Sequence, residues 1–225
     1  MTQVCLPAGH IDAIRIALVD ECSDAPLAGA TNGYIFNCFR NVVMTKNIED
    51  GDETVLKNEG GKKCWQTKKC DELKDINIEF ELLNPDYELT NLLTGQTLIN
   101  NGSENIGWYQ VEGLNCLPWI SVELFETVPD ESCEADHKYR RIVLPKVRFK
   151  LPTDEKEDPF RIVKFEGRTS PAEIANWADG PFNDSPYDFA TVPAGTQSHY
   201  MEFFDDSITE TLEGTCGFVT VPAQD

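Results

Sequence analysis

The chain has 225 residues with 39 acidic against 19 basic side chains, a formal charge of −20. That length supports a real hydrophobic core without covalent staples, and the charge argues against a nucleic-acid grip, which needs clustered Lys and Arg to displace counterions. No apolar run is long enough to span a membrane as a helix, and "MTQVCLPAGH" lacks the basic and apolar regions of a secretory signal, so synthesis and maturation in the cytoplasm are expected.

In chain order, "IDAIRIALVD" (11–20) alternates Ile14, Ile16 and Leu18 on one face and predicts a strand. "GYIFNCFRNVVMT" (33–45) predicts a second, largely buried strand. Residues 46–75 differ: fifteen of these thirty are charged, and "EDGDE" and "NEGGKK" are turn chemistry. An exposed hairpin or loop is expected there, with "TVL" and "CWQT" as weak strand arms. A charged excursion of this size is expected to lack fixed structure in a free chain and to order on assembly.

The stretch "DINIEFELLNPDYELTNLLTG" changes period within ten residues. Ile76, Ile78, Phe80 and Leu82 alternate with Asp75, Asn77, Glu79 and Glu81, predicting a strand with one apolar and one acidic face. A helix then follows, with Asn84 as cap, Pro85 in the first turn, Leu89, Leu92 and Leu93 as the buried stripe, and Gly95 as stop. The leucine stripe is expected to pack on the apolar face of the strand.

Further strands are predicted at "WISVELFET" (119–127), "YRRIVLPKVRFKLP" (139–152) and "DPFRIVKFEGR" (158–168). Lys146, Arg148 and Lys150 give the second a basic outer face, and Pro145 requires an edge or a bulge. Ser170 and Glu173 have capping-box spacing, with Pro171 between them, and predict a short helix or single turn. "SHYMEFFDD" and "GFVTVP" close the chain as strands. The total is a mainly β protein (all-β or α+β) with antiparallel pairing and one helix.

Charge is unevenly spread. After Arg168 there is no Lys or Arg, while ten acids fall in residues 169–225. Two parts are therefore expected: a β domain over 1–185 carrying the charged excursion 46–75, and an acidic extension over 186–225 packed on that domain.

Catalytic chemistry is sparse. The three histidines, His10, His137 and His199, form no zinc-protease motif, and neither a nucleophile elbow nor a phosphate loop is present. "EDGDE" places Gly51 wrongly for a calcium loop. The eight cysteines include no short zinc-type pair, so reduced thiols are expected, and no metal, cofactor or catalytic residue is assigned.

The order of segments resembles the major tail tube proteins of long-tailed bacteriophages with non-contractile tails. The features are an early strand, the excursion "TKNIEDGDETVLKNEGGKKC", the strand-to-helix segment, the pair "WISVELFET … RRIVLPKVRFKL" and "VKFEGRTSPAEIANWADGPFND". Within the last, Trp177, Asp179, Gly180 and Pro181 look most like the closing segment of such subunits. The resemblance covers about residues 10–185; the eight cysteines and the acidic stretch beyond 185 lie outside it. It implies a β-sandwich or barrel-like fold with one flanking helix. It also implies hexameric rings stacked into a tube in the virion tail, assembled in the bacterial cytoplasm. Tape measure, tail terminator and distal tail proteins are the implied partners, with DNA passing through unbound.

On that reading Asp75, Asn77, Glu79, Glu81 and Glu123 are lumen candidates, since an acidic wall repels phosphates. Lys57, Lys62, Lys63, Lys68 and Lys69 would meet Asp205 and Asp206 of a neighbour across rings. Two other classes fit the composition. A capsid-decoration or adhesion β-sandwich would use an aromatic patch such as Trp65, Trp108 and Tyr109. A carbohydrate-active enzyme would need paired carboxylates in a cleft.

Overall fold

The computed structural model describes residues 10–102, 105–109, 117–128, 139–157, 160–175, 177, 179–185, 188–205 and 216–223. The fold is mainly β, with antiparallel sheets and one α-helix among the described residues. The elements are β1 (His10–Val19), β2 (Gly29–Phe36), β3 (Phe39–Glu49), β4 (Glu53–Lys57), β5 (Lys63–Lys68) and β6 (Glu72–Leu83). Helix α1 (Tyr87–Thr94) follows, then β7 (Thr97–Asn100), β8 (Asn105–Tyr109), β9 (Trp119–Thr127), β10 (Tyr139–Phe149), β11 (Thr153–Glu157) and β12 (Phe160–Thr169). The last are β13 (Ala172–Glu173), β14 (Gln197–Ser198), β15 (Met201–Asp205) and β16 (Gly217–Val221).

One ten-stranded sheet carries the architecture, in the order β16-β2-β1-β9-β10-β12-β6-β3, with β11 joined to β12 and β15 to β10. Both β15 and β16, from the acidic C-terminal part, are strands of this sheet. The sheet folds over on itself, because residues from its two ends share one core. Ile14, Ile16, Tyr34 and Phe36 from β1 and β2 lie in the same buried cluster as Ile76, Ile78, Phe80 and Leu82 from β6. The Phe36 and Phe80 rings meet edge to face at 6.1 Å. The predicted leucine stripe completes this cluster: Leu89, Leu92 and Leu93 are all buried in it.

β10 makes the fold-over possible. It pairs with β9 and β15 in its first part and with β12 at Val147, Arg148 and Phe149. Its register against β9 shifts between Leu144 and Val147, at the bulge that Pro145 demands. Where β10 meets β12, a Cβ on Gly167 would lie 2.8 Å from Val147 Cγ1, so only glycine allows that approach.

Three local expectations need correction. The stretch 33–45, expected as one largely buried strand, is broken at Asn37 and Cys38: β2 ends at Phe36, and β3 begins at Phe39 with none of its residues fully buried. The helix is capped by Asp86, not Asn84: Asp86 Oδ1 accepts from Leu89 N at 2.7 Å. Asn84 has φ 46°, left-handed and unable to begin a helix, and its Oδ1 accepts instead from Arg161 N at 3.0 Å. The Ser170–Glu173 spacing does not open a helix either. Ala172 and Glu173 form strand β13, because Asp24 Oδ2 accepts from Glu173 N at 3.0 Å and Glu173 Oε1 accepts from Gly195 N at 2.7 Å. Tertiary partners have taken the groups that a capping box would have used.

Candidate functional site

Three surfaces hold the residues that the sequence singled out. The first is the outer face of β6. Asp75, Asn77, Glu79 and Glu81 point away from the core and are half-buried between β3 and β12. The neighbours change its character. Glu81 lies opposite Lys164, Glu79 opposite Glu166 and Asn77 opposite Arg168, while Arg148 of β10 lies opposite Arg168. Lys164 Nζ sits 2.8 Å from a Glu79 carboxylate oxygen. That hydrogen bond raises the Lys164 ammonium above its ordinary pKa. Asn47 donates to Asp75. The face is thus a mixed-charge surface, where single-strand reading expected an acidic one. Adjacent strands supply the cations.

Glu123 does not belong to that face. It is 0% exposed, beneath a second layer. Arg15 Nε donates to Glu123 Oε2 at 2.6 Å, and the remaining Arg15 nitrogens bind Asp184 bidentately at 2.7 and 2.8 Å. Arg141 Nη1 lies 3.0 Å from Asp184 Oδ1 and 3.6 Å from Glu123 Oε1. The two guanidiniums also stack on rings: Arg15 on Phe182 at 3.9 Å and Arg141 on Phe125 at 4.9 Å. Burial disfavours the Asp184 carboxylate, but Arg15 and Arg141 outweigh it and bring its pKa down to about 2. This quartet seals the segment around 170–192 onto the outer side of β1, β9 and β10. Trp177 and Phe189 insert beside Val143, and Phe182 packs on Ala17 and Val221. Trp177 Nε1 donates to Asp24 O at 2.8 Å.

The third surface is the excursion. It is the exposed hairpin that the weak strand arms predicted: β3 and β6 remain paired to Glu49–Glu72, and β4, with "TVL", and β5, with "CWQT", continue as a two-stranded ladder. The join is tight. Lys69 N donates to Asp52 O, Asp71 Oδ1 accepts from Gly51 N at 2.9 Å, and a Cβ on Gly51 would lie 2.0 Å from Lys69 O. Lys57, Lys62, Lys63, Lys68 and Lys69 are exposed along it. Two of them face acids of the same arm: Lys68 lies 3.1 Å from Asp71 and Lys69 3.9 Å from Asp52. The arm also bears a feature that the charge pattern hid. Leu56 and Trp65 are cross-strand partners on one face, 56% and 50% exposed. Ile48 and Leu73, partners nearer the base, are 64% and 38% exposed. Of the proposed acidic counterparts, Asp205 ends β15 with its backbone opposite Tyr139, and Asp206 lies outside the described residues.

A smaller ribbon, β7–β8, packs on α1 and exposes Ile99, Ile106 and Tyr109, while Trp108 is half-buried opposite Leu98. Trp65, Trp108 and Tyr109 are therefore divided between two separate ribbons.

His10 begins β1, His137 lies outside the described residues, and His199 Nδ1 is 2.9 Å from Thr169 Oγ1. Among the described residues, no three His, Cys, Asp or Glu side chains could hold a metal ion together. Among the described residues no helix is long and apolar enough to cross a membrane. No protein-family model matches this sequence, and none of the curated proteins is similar enough to count as a relative.

Proposed function

We propose that this chain is the repeating subunit of a phage-type tail tube, closing into rings that stack around a channel for DNA. The observation that carries this reading is the β4–β5 arm. It extends from a finished core, keeps strand pairing, and holds Leu56 and Trp65 in water with nothing among the described residues to cover them. Exposed apolar area of this kind favours a partner, and a second copy is the partner that the resemblance implies. The sheet supports the same reading. Among the described residues β16 and β3 stand at opposite ends of its strand order, each with one unpaired edge. Two different edges on one subunit permit head-to-tail joining, which yields rings or filaments.

In this reading the arm reaches the neighbouring ring, with Leu56 and Trp65 as its apolar anchor and Lys57, Lys62 and Lys63 setting orientation. The outer face of β6 lines the channel. Its lysines and arginines stand among carboxylates, so passing phosphates meet no block of free cations.

The test is electron microscopy of the purified chain at high concentration. Rings or tubes are expected, with Trp65→Ala leaving the subunit folded but blocking stacking. One molar salt, which screens beyond about 3 Å, should weaken but not abolish assembly, since the anchor is apolar. Changing Glu79 and Glu81 to Lys should preserve tubes and slow DNA passage. A chain that stays monomeric in every condition would refute the proposal.

A further inference from the structure

Two cysteines that the sequence placed 178 positions apart meet at one end of the sheet. Cys38 sits in the corner between β2 and β3, and Cys216 immediately precedes β16. Their sulfurs are 4.0 Å apart and both residues are exposed. Asn37 Oδ1 accepts from both thiols, at 3.2 Å from Cys216 and 3.5 Å from Cys38. Each cysteine is held by separate anchors. Cys38 O accepts from Leu83 N at 3.2 Å. Cys216 is followed by Gly217 and Phe218, which pair with Ile35 and Tyr34, and the Phe218 and Tyr34 rings meet edge to face at 5.5 Å.

We propose that Cys38 and Cys216 form an oxidisable pair whose disulfide fastens the C-terminal edge strand to the β2–β3 corner. The sulfurs need to close by about 2 Å to reach bonding distance. Rotation of two exposed side chains can supply most of that, because the surrounding backbone is already paired. Exposure gives an oxidant access, and the anchors keep the second thiol within reach once the first has reacted.

The oxidant class is a small-molecule disulfide such as oxidised glutathione. One protein thiolate attacks it and releases one reduced thiol, leaving a mixed disulfide. The second protein thiolate attacks the protein sulfur of that intermediate and expels the other reduced thiol. In balance, two protein thiols lose two electrons and two protons, and one disulfide becomes two thiols.

The consequences are local and global. The bond would close one side of a cavity of about 330 Å³ whose lining includes Tyr34, Leu82, Asp86 and Leu89. It would also tie together two points far apart in the chain, which restricts the unfolded state more than a short loop would. An edge strand whose ladder partner among the described residues is β2 alone would become covalently retained. The inference does not rest on the tube reading, because a monomer would form the same bond.

The experiment treats the folded, fully reduced protein with oxidised glutathione, followed by digestion without reductant and mass spectrometry. A single cross-linked peptide joining Cys38 to Cys216 is expected, with two fewer titratable thiols. The oxidised form should melt higher by on the order of 10 °C. Cys38→Ser and Cys216→Ser should retain the reduced protein's circular dichroism and lose both the cross-link and the shift. Stable glutathione adducts at these two positions, a bridge elsewhere, or eight thiols still free would overturn the proposal.

Discussion

The β4–β5 arm and the segment around 170–192 both depart from the main sheet, and each carries a tryptophan. Their fates are opposite. Trp177 is 0% exposed, wedged beside Val143 and Phe189 with its indole nitrogen bonded to Asp24 O. Trp65 is half in water, opposite an equally uncovered Leu56. The first segment folds back and uses its apolar residues as a second layer over β1, β9 and β10. The second projects and leaves them bare. Composition alone does not separate these cases; what differs is whether the same chain offers a surface to cover them. Leu56 and Trp65 remain an exposed apolar pair on a hydrogen-bonded ribbon, a kind of surface that favours contact with a partner.

The contrast can be tested from both sides. Trp177→Ala empties a core site and should cost about 4 kcal/mol in chemical denaturation. Trp65→Ala should shift the same midpoint by no more than about 0.5 kcal/mol and, on the proposed tube reading, block the stacking of rings. Equal losses would erase the distinction between the two segments.

Next in size is Asp184→Asn, which leaves Arg15 and Arg141 buried with Glu123 as their only carboxylate in the quartet. A loss of about 3 kcal/mol is expected. Its pH signature is specific. The folded carboxyl lies near 2 against an ordinary 3.8, so its stabilisation is fully present above about pH 4 and is lost as pH falls through about 2. That depression is worth about 2 kcal/mol. Acid titration of stability should show this decline in the native chain and a shallower one in the Asn variant.

Much of the fold was legible because strands announce themselves by alternation. Residues 119–127 became β9 without adjustment, and Pro145 gave away the bulge in β10. The helix was legible from its leucines, but its start was not: Asn84 offers the right side chain in a backbone conformation that no helix can use. Ser170 and Glu173 had the right spacing, yet Asp24, from far earlier in the chain, had claimed the backbone they would have capped. The β7–β8 ribbon and β11 went unrecognised, because short exposed strands carry little apolar alternation.

The site was less legible, and the reason is dimensional. Arg15, Glu123 and Arg141 occupy polar positions of amphipathic strands, the same pattern that solvent-facing residues make. Only the company they keep on that face hints at burial: Ala13 and Ala17 beside Arg15, and Ser121 and Phe125 beside Glu123. Small and aromatic neighbours around a charge are a signature worth seeking in other β proteins. Likewise, the acidic face of β6 was read correctly along its own strand and incorrectly across the sheet, since Lys164 and Arg168 arrive from β12.

The bulged strand β10 carries a mechanical implication. Among the described strands it is the one that joins the β16-β2-β1-β9 side of the main sheet to the β12-β6-β3 side, and its join to β12 is a seam of three registered pairs. Within the sheet that seam, just past Pro145, is the narrowest hydrogen-bonded join, while the core shared by both sides packs beneath it. A subunit that flexed would bend along that line, as paper does at a crease.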